Sequence, residues 1–116
     1  MLVKLADRLG LTRGLSRAMA DTRERRSAHD PGRVLRDLAV MLADGGDCLH
    51  DLGAIRDQAD LFGRVASDAT AWRVIDAIDD GRLADIRAAR ASARARACAA
   101  GARPAAIVLD IDSTLV

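Results

Sequence analysis

The sequence predicts a mostly α-helical module over residues 1–104, followed by one β-strand over residues 105–116. Three observations carry that reading. Apolar residues recur at helical spacing through most of the chain. Capping residues and glycines punctuate those runs where helices start and stop. Ile107-Val108-Leu109 is the one stretch of consecutive aliphatic residues that reads as a strand buried on both faces.

Leu2, Leu5, Leu9 and Leu11 open the chain at near-helical spacing, with Gly10 as a break and Thr12 as the expected cap of a second short helix through Met19. Residues 21–29 form a charged loop. Asp30-Pro31 is a helix start, because Asp caps and Pro fits the first helical position. Val34, Leu35, Leu38, Met41 and Leu42 then line one face, and Gly45-Gly46 ends the helix. Leu49, Leu52 and Ile55 point inward from a helix over 49–58, and Leu61, Phe62 and Val65 form a short apolar turn. Ser67 or Asp68 caps the next helix, with Trp72, Val74, Ile75 and Ile78 as its buried side and Asp79-Asp80-Gly81 as its end. Residues 82–100 form an Ala/Arg helix whose thin apolar side needs a large surface to lie against. Gly101 to Pro104 breaks it before the strand.

Composition limits the core. Half of the 116 residues count as hydrophobic, but Ala swells that share, and Phe62 and Trp72 are the only aromatic residues. Burial per residue is therefore modest. The net charge is +1, yet it is unevenly spread: residues 1–36 hold nine basic and four acidic residues, residues 37–81 three and ten, and residues 82–103 six and one. Lys4 is the only Lys, and Arg suits bidentate phosphate contacts. The plainer reading of the same arginines is solvated helix surface. Arg82, Arg87, Arg90, Arg94 and Arg96 wrap around their helix without making one stripe.

Cys48 and Cys98 fit no metal-ligand spacing and read as free thiols of a reducing compartment. Cys48-Leu49-His50 has two ligand types side by side, but no second cluster accompanies it. Lys4, Asp7 and Arg8 interrupt the first apolar run, which excludes a signal peptide, and no stretch has the length of a membrane span. A cytoplasmic protein without membrane contact is expected.

The chemistry concentrates at the strand. Alternation puts Asp110 and Asp112 on one face and Ile111 on the other. Two adjacent carboxylates beside a buried sheet need solvent, a proton or a cation, and Mg²⁺ is the natural counter-ion. Ser113 and Thr114 could cap the following turn or reach a phosphate. An apolar strand ending in Asp-x-Asp-x-Thr thus points to phosphoryl transfer, against the alternative of two solvated aspartates. A lone strand cannot satisfy its own backbone groups, so its sheet is expected beyond Val116 or in another chain, and the sequence reads as a fragment.

Ile107–Leu115 resembles the first motif of haloacid-dehalogenase-like phosphatases, which would make Asp110 the nucleophile and Asp112 the general acid/base. The whole chain resembles the N-terminal part of DDE transposases of bacterial insertion sequences, most closely the IS-thirteen-eighty family. That resemblance runs through Leu5–Leu11, His29–Leu38, Met41–Cys48, Asp51–Arg56, Ala66–Arg73 and Val108–Leu115. It implies that the strand opens an RNase-H-like catalytic domain, truncated here, with Asp112 as the first metal-binding catalytic carboxylate and Asp110 as its neighbour and helper. It implies Mg²⁺ in the intact enzyme, with DNA cleavage and strand transfer as its activity. The later Asp and Glu would lie further along, so this chain alone would not cut DNA. The helical part resembles the region that recognises transposon terminal inverted repeats. Thr70 and Arg73 are the candidate DNA contacts, while Trp72 is expected in the core. Self-association, or association with a full-length transposase, is a further expectation, and a non-enzymatic DNA-binding or interfering module is the alternative outside catalysis.

Overall fold

A computed structural model describes residues 1–23 and 28–114. Among them, seven α-helices follow one another: α1 Leu2–Arg8, α2 Leu11–Ala18, α3 Pro31–Ala43, α4 Leu52–Arg56, α5 Ala59–Phe62, α6 Asp68–Asp76 and α7 Asp80–Ala97. Short 3-10 turns at Ala20–Thr22 and Leu49–Asp51 link them, and a π-type turn at Cys98–Ala102 closes α7. The mostly helical expectation holds. None of these helices is long and apolar enough to cross a membrane.

α3 is the spine. Asp30 is extended and its side chain accepts from the Gly32 amide at 2.9 Å, with Pro31 at the first helical position, as the Asp-Pro pair predicts. Val34, Leu38 and Met41 are buried at the centre of a cluster that also takes in Val3, Leu52, Ile55 and Ala71. Leu42, expected on that face, is 59% exposed. The helix ends as the glycine pair requires: Gly45 has φ +97°, and the Gly46 amide donates to Met41 O at 2.9 Å.

α2 lies between α3 and α7 and touches both through small residues. A Cβ on Gly32 would stand 2.2 Å from the Ser16 nitrogen, and a Cβ on Gly14 would stand 2.8 Å from Ala89 Cβ. The Ala-rich α7 therefore finds its surface on α2, where Ala93 is buried. Arg96 adds a tether by donating to Leu9 O at 2.9 Å. Arg82 makes a second one. Its guanidinium spans both Asp21 oxygens, at 3.2 and 2.8 Å, and also donates to Ala77 O and Asp79 Oδ2. That pairing holds the Asp21 carboxyl below its ordinary range.

Several local expectations need correction. Gly10, at φ +74°, starts α2, and Thr12 instead donates to Asp7 Oδ1. Asp79 begins α7 rather than ending α6: its Oδ1 accepts from the Arg82 amide at 2.8 Å, while α6 has already stopped at Asp76. Trp72 and Ile75 are not core; they are 56% and 43% exposed. The fully buried residue of α6 is Ala71, whose small side chain lets the helix approach α3 and turns the next residue outward.

The described residues contain no β-strand. Residues 105–111, expected as a strand, are irregular and exposed, and the exposures of Ile107, Val108, Leu109 and Ile111 run from 78% to 90%. The physical reason is the one the sequence supplies: a strand needs a neighbour for its backbone groups, and the helical body offers none. Leu115 and Val116 lie outside the described residues, as does the Glu24–Ser27 part of the charged loop.

Candidate nucleic-acid interface

The candidate DNA contacts sit at the start of α6. Ser67 is extended, and its Oγ accepts from the Thr70 amide at 3.3 Å, so Ser67 rather than Asp68 is the cap. The same hydroxyl donates to Thr70 Oγ1 at 3.1 Å, and Arg73 Nη2 donates to that oxygen at 3.2 Å. One helical turn thus brings Thr70 and Arg73 together, as their spacing implies. Asp68 acts as an anchor. Arg56 reaches its Oδ1 at 2.8 Å and His50 Nδ1 approaches its Oδ2 at 3.5 Å, and the Arg56 hydrogen bond holds the Asp68 carboxyl low. Arg56 also donates to Ala66 O at 3.1 Å, which fixes α4 against the entry to α6.

Thr70 and Arg73 face an open cleft of about 350 Å³, opposite Arg23, His29 and Pro31. Among the described residues, no acidic side chain lines it. Through Arg23, Ala28 and His29 it continues into a second cleft of about 310 Å³ that runs past Arg33 to Arg64. Among the described residues two carboxylates border this second part, and both are engaged. Asp30 accepts from the Gly32 amide and, at 2.7 Å, from Ser16 Oγ. Asp37 is buried and accepts from Arg36 Nε and Nη2 at 3.0 and 2.9 Å. Burial still dominates there and pushes the Asp37 carboxyl upward despite its Arg partner. Among the described residues, Arg23, Arg33, Arg64 and Arg73 form no ion pair. Sequence reasoning singled out only Arg73 of these four; the basic excess of residues 1–36 was the available signal for Arg23 and Arg33.

Asp110 and Asp112 stand apart from this architecture, exposed in the irregular segment after Pro104. A different carboxylate cluster does form. Ligand atoms of Asp47, Cys48 and Asp51 lie within 4.8 Å of one another. Its geometry is that of a helix cap. Asp51 Oδ2 accepts from the Asp47 and Cys48 amides at 2.9 and 3.1 Å and from Cys48 Sγ at 3.3 Å. Those amides hold the Asp51 carboxyl low. Cys48 and His50, adjacent in the sequence pattern, turn to different carboxylates.

No curated protein and no solved structure matches the chain. A family model does match, the one described as transposase DDE domain group 1, and it covers residues 1–116. Because that match spans the whole length, the chain belongs to the transposase DDE domain group 1 family.

Proposed function

We propose that this chain is the end-recognising part of a bacterial insertion-sequence transposase of the IS-thirteen-eighty kind, acting in the cytoplasm. Residues 1–104 bind the terminal inverted repeats, and residues 105–116 become the first strand of an RNase-H-like catalytic domain once other strands pair with them. The observation that carries this reading is the state of Ile107, Val108 and Leu109. Three consecutive aliphatic side chains at 78–90% exposure, followed directly by two carboxylates, fit a strand that becomes buried only against other strands. The family match favours this reading over the phosphatase alternative for Asp110.

In the paired strand Asp110 and Asp112 share one face, and Asp112, followed by Ser113 and Thr114, takes the first catalytic position. DDE transposase domains generally use a divalent metal, and the all-oxygen donors of Asp112 and Asp110 suit Mg²⁺. When bound, the metal supplies Lewis-acid activation of water, and then of a DNA 3′-hydroxyl, toward a phosphodiester. The chain's own side chains hold that position and orient the DNA. Thr70 and Arg73 contact the duplex backbone, and the Ser67 and Asp68 anchors keep their helical turn in place.

Fluorescence anisotropy with labelled terminal-repeat duplexes and shuffled duplexes tests the reading. Tighter binding to the repeats, weakened by Arg73→Ala, is expected. Equal affinity for both duplexes at moderate salt rejects end recognition. In the enzyme with a complete triad, Asp112→Ala should abolish strand cleavage while leaving repeat binding intact. Full cleavage by that variant removes Asp112 from the catalytic position.

A further inference from the structure

We infer that the two joined clefts form one arginine-lined track for a DNA phosphate backbone, running from Arg64 past Arg33 and Arg23 to Arg73. The proposal rests on the DNA-binding reading above and extends it to three residues that the α6 contacts do not include. Four separate parts of the fold supply the charges: the segment after α5 (Arg64), the first turn of α3 (Arg33), the turn after Ala20–Thr22 (Arg23) and α6 (Arg73). Distant sequence positions converge on one concave surface, which a solvated helix face does not require.

What sets this surface apart is that its arginines share one concavity. Elsewhere Arg56, Arg82 and Arg96 are engaged within the fold, and the exposed Arg8, Arg13, Arg17, Arg87, Arg90, Arg94 and Arg103 line neither cleft. The described bordering acids Asp30 and Asp37 are committed to Ser16, Gly32 and Arg36, and Arg23, Arg33, Arg64 and Arg73 form no ion pair among the described residues, Arg33 acting on the Asp37 carboxyl only through its field. Four guanidinium groups in a shared concavity, none of them in an ion pair among the described residues, suit an extended polyanion. Backbone phosphates fit better than base edges, because the track is shallow and its donors are Arg and a Thr hydroxyl.

The salt dependence of binding reads the number of phosphates neutralised, with a slope of about −0.9 per phosphate on duplex DNA. Four contacts give a slope of about −3.6, so affinity should fall roughly 10²-fold between 50 and 200 mM salt. The test uses residues 1–116 with a labelled 30-base-pair duplex of random sequence and with the terminal-repeat duplex. Arg23→Ala, Arg33→Ala and Arg64→Ala are compared with Arg90→Ala on the exposed side of α7, after circular dichroism shows each variant folded. Each cleft variant should flatten the slope by about 0.9 and weaken both duplexes alike, while Arg90→Ala changes neither. Native slopes in all three cleft variants overturn the track and leave end recognition by α6 standing. Failure of the unaltered protein to bind any duplex overturns the DNA reading and the track together. Tighter binding to RNA or to poly-glutamate than to the duplex at equal salt overturns DNA as the occupant.

Discussion

Gly32→Ala should destabilise the protein, although alanine is the better helix former. The substitution gains up to about 1 kcal/mol in intrinsic helix preference. Against that, the new Cβ would stand 2.2 Å from the Ser16 nitrogen, 2.4 Å from its Cα and 2.4 Å from its Oγ. Two of those atoms are backbone, so no rotamer change relieves the contact, and α2 must retreat by roughly 1 Å from α3. Overpacking of this kind costs about 1–3 kcal/mol, and the displaced Ser16 also loses its 2.7 Å hydrogen bond to the capping Asp30. The net expectation is a loss of about 2 kcal/mol. Gly53→Ala is the matched control. Gly53 lies in α4, and a Cβ there meets nothing within 4 Å, so the same replacement should stabilise by about 0.5–1 kcal/mol. Urea unfolding followed by circular dichroism reads both. A Gly32→Ala protein as stable as the original, beside a stabilised Gly53→Ala, refutes the close crossing of α2 and α3.

Met19 is fully buried, so Met19→Ala should cost about 2–5 kcal/mol in the same urea assay, and a loss below 1 kcal/mol contradicts its placement. Deleting residues 105–116 should leave the unfolding midpoint of the helical body unchanged, because residues 105–114 are exposed; a clear fall in thermal midpoint means that the segment packs on the helices. Trp72, the sole tryptophan, should be quenched by acrylamide in the folded state, and a blue-shifted, protected emission would return it to the core. Asp21, Asp51 and Asp68 have lowered pKa values, so they contribute stability that is complete above 3.8 and is lost as pH falls through their folded values. Asp37 acts in the opposite sense, since its raised pKa relieves a burial penalty as it protonates. Thermal midpoints between pH 6 and 3 should therefore fall on the acid side, and Asp51→Asn should flatten that limb; an unchanged profile in the variant removes Asp51 from the account.

What the sequence made legible was local. Asp30-Pro31, Gly45-Gly46 and Ser67 act through their own backbones, and the structure places all three as helix boundaries. What it hid was set by tertiary contact. Ala71 rather than Trp72 faces α3, because a small side chain permits the close approach, and apolar periodicity weighs a large residue more heavily than a small one. Asp79-Asp80-Gly81 carries both a stop and a start signal, and only the Arg82 amide on Asp79 shows which one operates. Thr70 and Arg73 were readable as one helical turn. The arginines opposite them were not, since Arg23, Arg33 and Arg64 meet only after the chain has folded. The strand pattern at Ile107–Leu109 is plain in the sequence, yet hydrogen-bonded pairing is a property of two segments and cannot be met by one.

The position of α2 between α3 and α7 sets an order of assembly. Bringing α3 onto α2 closes a loop of about a dozen residues, from Ala18 to Pro31, whereas bringing α7 onto α2 closes one of about sixty, from Ala18 to Asp80. The entropic difference is roughly 1.5 kcal/mol. The α1–α3 corner therefore forms first and leaves Gly14 open to receive Ala89, and α7 docks late, carrying the Arg82 and Arg96 tethers with it. Those tethers close the body by joining α7 to segments near the start of the chain, so they act as latches: weakening them should speed unfolding while leaving the folding rate nearly untouched.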